Sequence, residues 1–259
     1  SFGTSYGTIE MTSRGTPIDA IDNKTPTAFE EGFHGAGTWT QVGQNDGTFG
    51  IRLTNADILP MGIKLDAMYF PTVGAGDAAD DEGTSGTSNA FYDNSYEIVL
   101  SGAVPMVDGA TFGVGYAQAD TNVTSRGDRE EGTAYLNYTY GPLSLGAQLG
   151  VVAFDIKTTT SDQNVVNWYK NTYYGISYAV NDNLSVSYQN NESIKHTRRD
   201  GNTVVDGSHG ESVLQESDGF SVAYTMGGMT ISYVDNSHDN EAYGSTNKDY
   251  RQVVVGVAF

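Results

Sequence analysis

The sequence contains no cysteine, few basic residues and no long hydrophobic run. Without cysteine the chain has no disulfide framework, no thiol nucleophile and no thiolate metal site. Its 13 Lys and Arg stand against 32 Asp and Glu, and the resulting net charge of −19 opposes binding to nucleic-acid phosphates. The longest apolar runs, such as residues 151–154, are far shorter than the roughly 20 residues of a transmembrane helix, and residues 253–255 form a shorter one. The sequence therefore excludes a helical membrane protein.

Glycine and tyrosine are abundant, with 32 and 17 residues, and apolar residues alternate with polar ones in short segments. Side chains two positions apart share one face of a strand. Segments of this kind predict twelve strands, at residues 4–13, 47–55, 61–73, 91–104, 110–120, 132–141, 143–156, 168–180, 184–195, 216–226, 229–236 and 250–259.

The connections between these segments alternate between short and long. Short turns are predicted near residues 55–60, 105–109, 141–142, 181–183 and 227–228. Long polar loops are predicted at residues 14–46, 74–90, 121–131, 157–167, 196–215 and 237–249. Short turns at one end and long loops at the other indicate an antiparallel up-and-down meander that forms one β domain over residues 1–259, as in outer-membrane barrels.

The second face of the predicted strands is polar or small, which suits both a β-sandwich and a membrane barrel. The tyrosines favour the barrel, because their rings prefer the boundary between hydrocarbon and water. They lie near strand ends on the apolar face, at Tyr69, Tyr92, Tyr96, Tyr138, Tyr140, Tyr178, Tyr188 and Tyr233. The fold predicted is all-β, a transmembrane β-barrel.

Three phrases of the sequence occur in a characteristic order: Tyr6-Gly7-Thr8-Ile9, Arg14-Gly15-Thr16-Pro17 and Phe49-Gly50-Ile51-Arg52-Leu53. This order resembles the strand, constricting loop and strand of the general-diffusion porins of Gram-negative outer membranes. The resemblance implies that residues 14–46 fold inward as a constriction loop. The C-terminal Val253, Val255, Val257 and Phe259 also resemble the terminal strand that the assembly machinery of that family recognises. An ordinary edge strand that ends in Phe is the alternative.

Porins of this family have sixteen strands, and the constricting loop follows the fifth. The twelve strands visible here then correspond to the last twelve of sixteen, and four N-terminal strands are expected to be missing from this sequence. In that case the first and last visible strands do not pair with each other. A complete barrel of twelve strands is the alternative.

The resemblance also implies a pore constriction built from charged residues. Asp19, Asp22, Glu30 and Glu31 lie on the loop, while Arg52, Lys64, Asp66 and Glu97 fall on the channel-facing register of the strands. Carboxylates on the loop opposite basic side chains on the wall set a transverse field that sorts ions. We expect a water-filled, cation-biased channel for small hydrophilic solutes. The alternative for the acidic residues is a solvated loop surface.

By the same resemblance, the protein is expected in the outer membrane of a Gram-negative bacterium, in contact with lipid and lipopolysaccharide, as a homotrimer. No cofactor is predicted. Asp77, Asp80, Asp81 and Glu82 offer oxygen ligands of the kind that Ca²⁺ or Mg²⁺ prefers, but their spacing matches no EF-hand and a solvated loop is the alternative.

Catalysis finds no support, because the four His lie in predicted loops without metal-binding spacing. We therefore predict that the protein is not an enzyme. The alternative function is a secreted or surface β-sandwich module for carbohydrate binding or adhesion.

Overall fold

The computed structural model describes residues 1–29, 40–43, 45, 48–55, 59–71, 92–121, 128–154, 164–199 and 212–257. Within these ranges no helix has the length and apolar character needed to span a membrane. The chain there forms β1 (Phe2–Thr4), β2 (Gly7–Thr12), a 3₁₀ turn (Asp19–Ile21), β3 (Gly50–Asn55), a 3₁₀ turn (Pro60–Gly62), β4 (Lys64–Phe70), β5 (Tyr92–Ala103), β6 (Ala110–Thr121), β7 (Arg129–Tyr140), β8 (Leu143–Phe154), β9 (Asn164–Asn181), β10 (Leu184–Arg199), β11 (Ser212–Met226), β12 (Met229–Asp239), a 3₁₀ turn (Glu241–Tyr243) and β13 (Lys248–Val257).

All these strands belong to one 13-stranded sheet in chain order, in which each strand is antiparallel to its neighbours in the sequence. This order confirms the predicted up-and-down meander. It differs from the two facing sheets of the sandwich alternative. Strands β1 and β13 are the outer strands of the sheet, and the described residues contain no ladder between β13 and either β1 or β2.

The first predicted strand, residues 4–13, is replaced by two strands, so the count is thirteen and not twelve. Thr4 pairs with Gly7, and the Thr4 hydroxyl donates to the Gly7 carbonyl at 2.8 Å while accepting from the Tyr6 N–H at 3.1 Å. Gly7 has a φ of 131°, which side-chain-bearing residues rarely adopt. A threonine-closed turn at residues 5 and 6 thus divides the alternating segment.

Several strands reach further into the predicted long loops than their apolar pattern suggests. Strand β9 begins at Asn164, β10 ends at Arg199 and β11 begins at Ser212. A ladder is made by backbone groups, so polar side chains continue it once it has started. The opposite holds for β4, which begins only at Lys64 because Met61 and Gly62, in the preceding 3₁₀ turn, have φ values of 66° and 72°, outside the extended region of a strand.

The outer face of the sheet carries a continuous apolar belt. On β8, Leu145 and Leu149 are each 43% exposed while Gln148 between them is 2% exposed, as the alternation predicts. The belt continues across the other strands through Ile98, Leu100, Val114, Leu136, Ile176, Phe220, Ile231, Val253 and Val255. A large exposed apolar surface of this kind requires an apolar environment.

Tyrosines border the belt at both ends. Tyr138, Tyr140 and Tyr178 are exposed near the short turns, and Tyr69, Tyr96 and Tyr116 near the long loops. At the border near the long loops, the Tyr96 hydroxyl donates to Gln118 at 2.8 Å and the Tyr116 hydroxyl donates to Glu130 at 3.2 Å. Along β7 the belt runs from Tyr140 to Glu130. Ten residues at about 3.4 Å each, with a typical tilt, give a height of about 26 Å.

Candidate functional site

Residues 13–49 connect β2 to β3, and we call this segment the inner loop. Its described residues, 13–29, 40–43, 45, 48 and 49, lie against the face of the sheet opposite the belt, which we call the inner face. The first half of the inner loop crosses the sheet from strand to strand. The Ile18 N–H donates to Glu97 on β5 at 3.0 Å, the Lys24 N–H to Gln148 on β8 at 2.7 Å, and the Ala28 N–H to Ser187 on β10 at 2.9 Å.

The second half of the inner loop returns across the same strands. Asn171 on β9 donates to the Thr40 carbonyl at 2.8 Å, and the Gly43 N–H donates to Glu131 on β7 at 2.7 Å. The Asn45 amide then donates to Glu97 on β5 at 2.9 Å, which is the carboxylate that also binds the first half. Both halves are therefore fixed to the inner face by polar wall side chains.

An apolar cluster holds the underside of the inner loop to the sheet. Ile18, Ile21 and Val42 of the loop are buried, and they pack on Val99, Ala117, Val152, Val166 and Tyr169 of the sheet. Full burial of an aliphatic side chain contributes about 1.5–3 kcal/mol. This apolar contact adds to the hydrogen bonds.

Glycine on the inner face makes room for the loop backbone. A Cβ at Gly175 would lie 2.9 Å from the Pro26 carbonyl oxygen and 2.8 Å from the Thr25 Cβ. At Gly115 it would lie 3.0 Å from the Ile21 Cδ1. The loop can approach these strands closely only because both positions lack a side chain.

Gln148 on β8 is a wall residue that binds the loop backbone at several points. Its Nε2 donates to the carbonyls of Ile21 at 2.7 Å and Asp22 at 2.6 Å and lies 2.9 Å from the Thr133 hydroxyl. Its Oε1 accepts the Lys24 N–H at 2.7 Å. One amide group thus binds three backbone groups between Ile21 and Lys24, and its 2% exposure shields these bonds from water.

Tyr243, on the 3₁₀ turn after β12, contacts the loop from the long-loop side. Its hydroxyl accepts the Thr40 N–H at 3.2 Å and lies 2.7 Å from the Ser193 hydroxyl. Burial raises the pKa of Tyr243 above its ordinary value of 10.0. The phenol therefore stays neutral, and this contact persists across the physiological pH range.

The two predicted loop carboxylates that the structure describes differ in their surroundings. Asp19 is half-buried at the start of its 3₁₀ turn, and its N–H donates to the Thr16 hydroxyl at 3.3 Å. Asp22 is only 7% exposed and accepts a hydrogen bond from Gln41 at 2.9 Å. The hydrogen bond from Gln41 and the burial of Asp22 therefore weaken the effect of its negative charge on the aqueous path. Glu30 and Glu31 lie outside the described residues.

The predicted wall charges all occupy the inner face, but only Lys64 is exposed there. Glu97 is fully buried under the inner loop. Arg52 forms a forked ion pair with Asp66 and donates to the Gly15 carbonyl at 2.9 Å, so it holds the start of the loop. The structure thus brings Arg52 and Asp66 together, separately from Asp19 and Asp22.

The remaining predicted residues belong to the cation site and to the C-terminal assembly signal. The acidic candidates Asp77, Asp80, Asp81 and Glu82 lie outside the described residues, as does Phe259, and the cation site remains a prediction. Within the part of the chain that the structure describes, no three acidic, His or Cys side chains form a group suited to a metal ion. Val253, Val255 and Val257 are exposed on the outer face of β13.

Sequence reasoning missed Gln148, Glu131 and Lys24 as participants in this site. Gln148 lies on the polar face that the alternation of β8 gives, but its bonds to the loop join residues 126 and 127 positions apart, which no local pattern indicates. Glu131 is the last residue of the predicted loop 121–131, whereas the structure has it on β7, where it pairs with Arg129 at 2.7 Å and accepts a hydrogen bond from the Gly43 N–H. The sequence signal that could have identified Glu131 is a carboxylate on the inner face of a strand that a long loop can reach.

Comparison with solved structures gives matches over nearly the whole chain. OmpT, an outer-membrane protein of Vibrio cholerae, is 12% identical with a TM-score of 0.62, over 98% of this chain and 74% of that one. A porin refined at 1.8 Å resolution is 14% identical with a TM-score of 0.60, over 99% and 79%. An anion-selective porin from Comamonas acidovorans is 14% identical with a TM-score of 0.55, over 88% and 65%.

The chain has the fold of the outer-membrane porins. Neither a protein-family model nor a curated protein matches the sequence. The porin fold accounts for the belt on one face of the sheet and for the long segment that folds against the other face. At these identities the likeness concerns the fold, so the function has to be argued from this chain's own residues.

Proposed function

We propose that the protein forms a water-filled channel across the outer membrane of a Gram-negative bacterium, for passive diffusion of small hydrophilic solutes. The observation that carries the proposal is the attachment of the inner loop to the inner face of a sheet whose outer face is an apolar belt. A belt about 26 Å high matches the hydrocarbon core that such barrels cross. A loop fixed inside narrows the aqueous path without closing it.

The part of the inner face that the inner loop does not cover also carries side chains suited to contact with water. Toward the short turns, its described side chains are small or hydroxyl-bearing. They include Ser101, Thr111, Thr139, Ser144, Ser177 and Ser185. Polar groups on this face and apolar groups on the other are what a membrane channel needs, since water meets one face and lipid the other.

We further propose that the channel favours cations. The chain carries a net charge of −19, and Asp19 lies half-exposed on the inner loop. A carboxylate in a narrow aqueous path attracts cations, because bulk salt screens it only over about 10 Å at 0.1 M. The wall carboxylates Glu97 and Glu131 contribute less, because loop N–H groups already bind them.

A homotrimer in contact with outer-membrane lipid and lipopolysaccharide is part of the same proposal. One of the similar structures, OmpT of Vibrio cholerae, is described in a trimer form. For this chain the support is the extent of the outer belt, part of which can contact neighbouring copies while the rest contacts lipid.

The proposed function is tested by recording current after adding the purified native protein to planar bilayers. We expect discrete, ohmic conductance steps and, across a KCl gradient, a reversal potential of the sign that cation preference gives. Asp19→Asn should lower the ratio of cation to anion permeability, by about twofold for a single charge in the constriction. Liposomes that contain the protein should also swell in small sugars.

The control for this experiment is Asp239→Asn, an exposed carboxylate at the end of β12. It should leave the permeability ratio near that of the native protein. A protein that inserts and yet gives neither current nor liposome swelling would contradict the channel. Conduction with an equal effect of both variants would contradict the role of Asp19 alone.

A further inference from the structure

The inner loop carries a lysine, Lys24, whose positive charge does not contribute to the cation preference proposed above. Lys24 is exposed, although the neighbouring Asp22 and Thr25 are 7% and 6% exposed. Since the buried neighbours face the wall and the loop interior, the Lys24 side chain extends away from the wall into the space beside the loop.

The backbone of Lys24 is held on both sides. Its N–H donates to Gln148 at 2.7 Å, and its carbonyl accepts from the Asn137 amide at 2.5 Å. The next residue, Thr25, accepts from Gln189 through its hydroxyl at 2.9 Å and through its carbonyl at 3.2 Å. Hydrogen bonds from β7, β8 and β10 therefore fix the backbone from which the Lys24 side chain extends.

The electrostatic surroundings leave the charge of Lys24 effective. Between the loop and the short turns, the described inner-face positions of β5 to β10 are all neutral. Glu97 on β5 and Glu131 on β7 are buried inner-face carboxylates that are already bound to loop N–H groups. Among the described residues no carboxylate forms an ion pair with Lys24.

We propose that Lys24 is a specificity-determining residue of the channel, a fixed positive charge that contacts small anions and the anionic groups of permeating solutes. It opposes the carboxylates of the same loop. Because the signs are opposite, Lys24 lowers the cation preference that the carboxylates alone would produce. Gln148 and Asn137 act as its positioning residues. This inference rests on the proposed channel function.

The test is the ratio of potassium to chloride permeability, from reversal potentials in a KCl gradient. We expect Lys24→Gln to raise the ratio about twofold and Lys24→Glu about fourfold, since one and two units of charge are removed from the constriction. Lys24→Arg, which keeps the charge, should leave the ratio unchanged. The contacts of Lys24 are made by its backbone, so all three variants should fold.

The matched control is Lys170→Gln, because Lys170 is exposed on the outer face of β9, where it pairs with Val151 and Ile194. Removing this charge should not change the ratio. If the native protein conducts and Lys24→Glu behaves like Lys170→Gln, the inference is wrong and the channel function stands. If the native protein does not conduct at all, the proposed function fails and the inference fails with it.

Discussion

Leu149→Arg should prevent the protein from folding into lipid. Leu149 is 43% exposed on the outer face and pairs with Ala134 of β7, near the middle of the belt that runs from Tyr140 to Glu130. An arginine at the bilayer midplane of a membrane barrel costs about 2–4 kcal/mol. Refolding into lipid vesicles, followed by the shift in electrophoretic mobility between folded and heated protein, should show a large loss of folded protein.

Two matched variants show whether depth in the membrane is the cause. Leu145→Arg, opposite Tyr138 at the border of the belt, should cost less, because the penalty falls toward the interface. Thr139→Arg, exposed on the inner face of β7, should fold normally. Equal folding yields for Leu149→Arg and Thr139→Arg would show that the outer face does not meet lipid.

Gln148→Glu should release the inner loop and leave the barrel intact. The substitution keeps the shape of the side chain but removes the donor to the Ile21 and Asp22 carbonyls and places a buried negative charge beside them. Each buried group left without its partner costs about 1–3 kcal/mol, and more where a charge is involved. Because β8 is held by backbone ladders, the sheet itself should persist.

The expected result is a several-fold rise in open-channel current noise and in voltage-induced closures, since a detached loop moves within the aqueous path. Gln252→Glu serves as the control, because Gln252 lies on β13, away from the described contacts of the inner loop. Quiet channels of native conductance in Gln148→Glu would show that this amide does not position the loop.

The alternation of apolar and polar residues predicts the faces of the strands well. Leu145, Leu149 and Gln148 all take the predicted side, because a one-residue slip would reverse every side chain at once. The turn at Ser5 and Tyr6 is not predicted, because it interrupts a segment whose alternation continues through it. The extra length of β9 and β10 is not predicted either, because their ends are polar.

The state of the inner-face residues depends on the path of the inner loop. Glu97 and Gln148 share the polar pattern of residues that face water, yet the loop buries both. Glu97 binds a residue 79 positions away in the chain, and no local pattern contains that information. The loop and the wall can therefore be predicted from the sequence, whereas the contacts between particular residues of the two depend on the fold.

The position of the inner loop inside an aqueous channel is tested most directly at Ala20, which is exposed on the 3₁₀ turn Asp19–Ile21. The chain contains no cysteine, so Ala20→Cys gives a single thiol. When a charged, membrane-impermeant thiosulfonate reagent is added during single-channel recording, we expect the conductance to fall in steps by about a fifth or more. Leu145→Cys on the outer belt should show no such fall. Complete modification of Ala20→Cys, verified by mass spectrometry, with unchanged conductance would contradict a loop inside the channel.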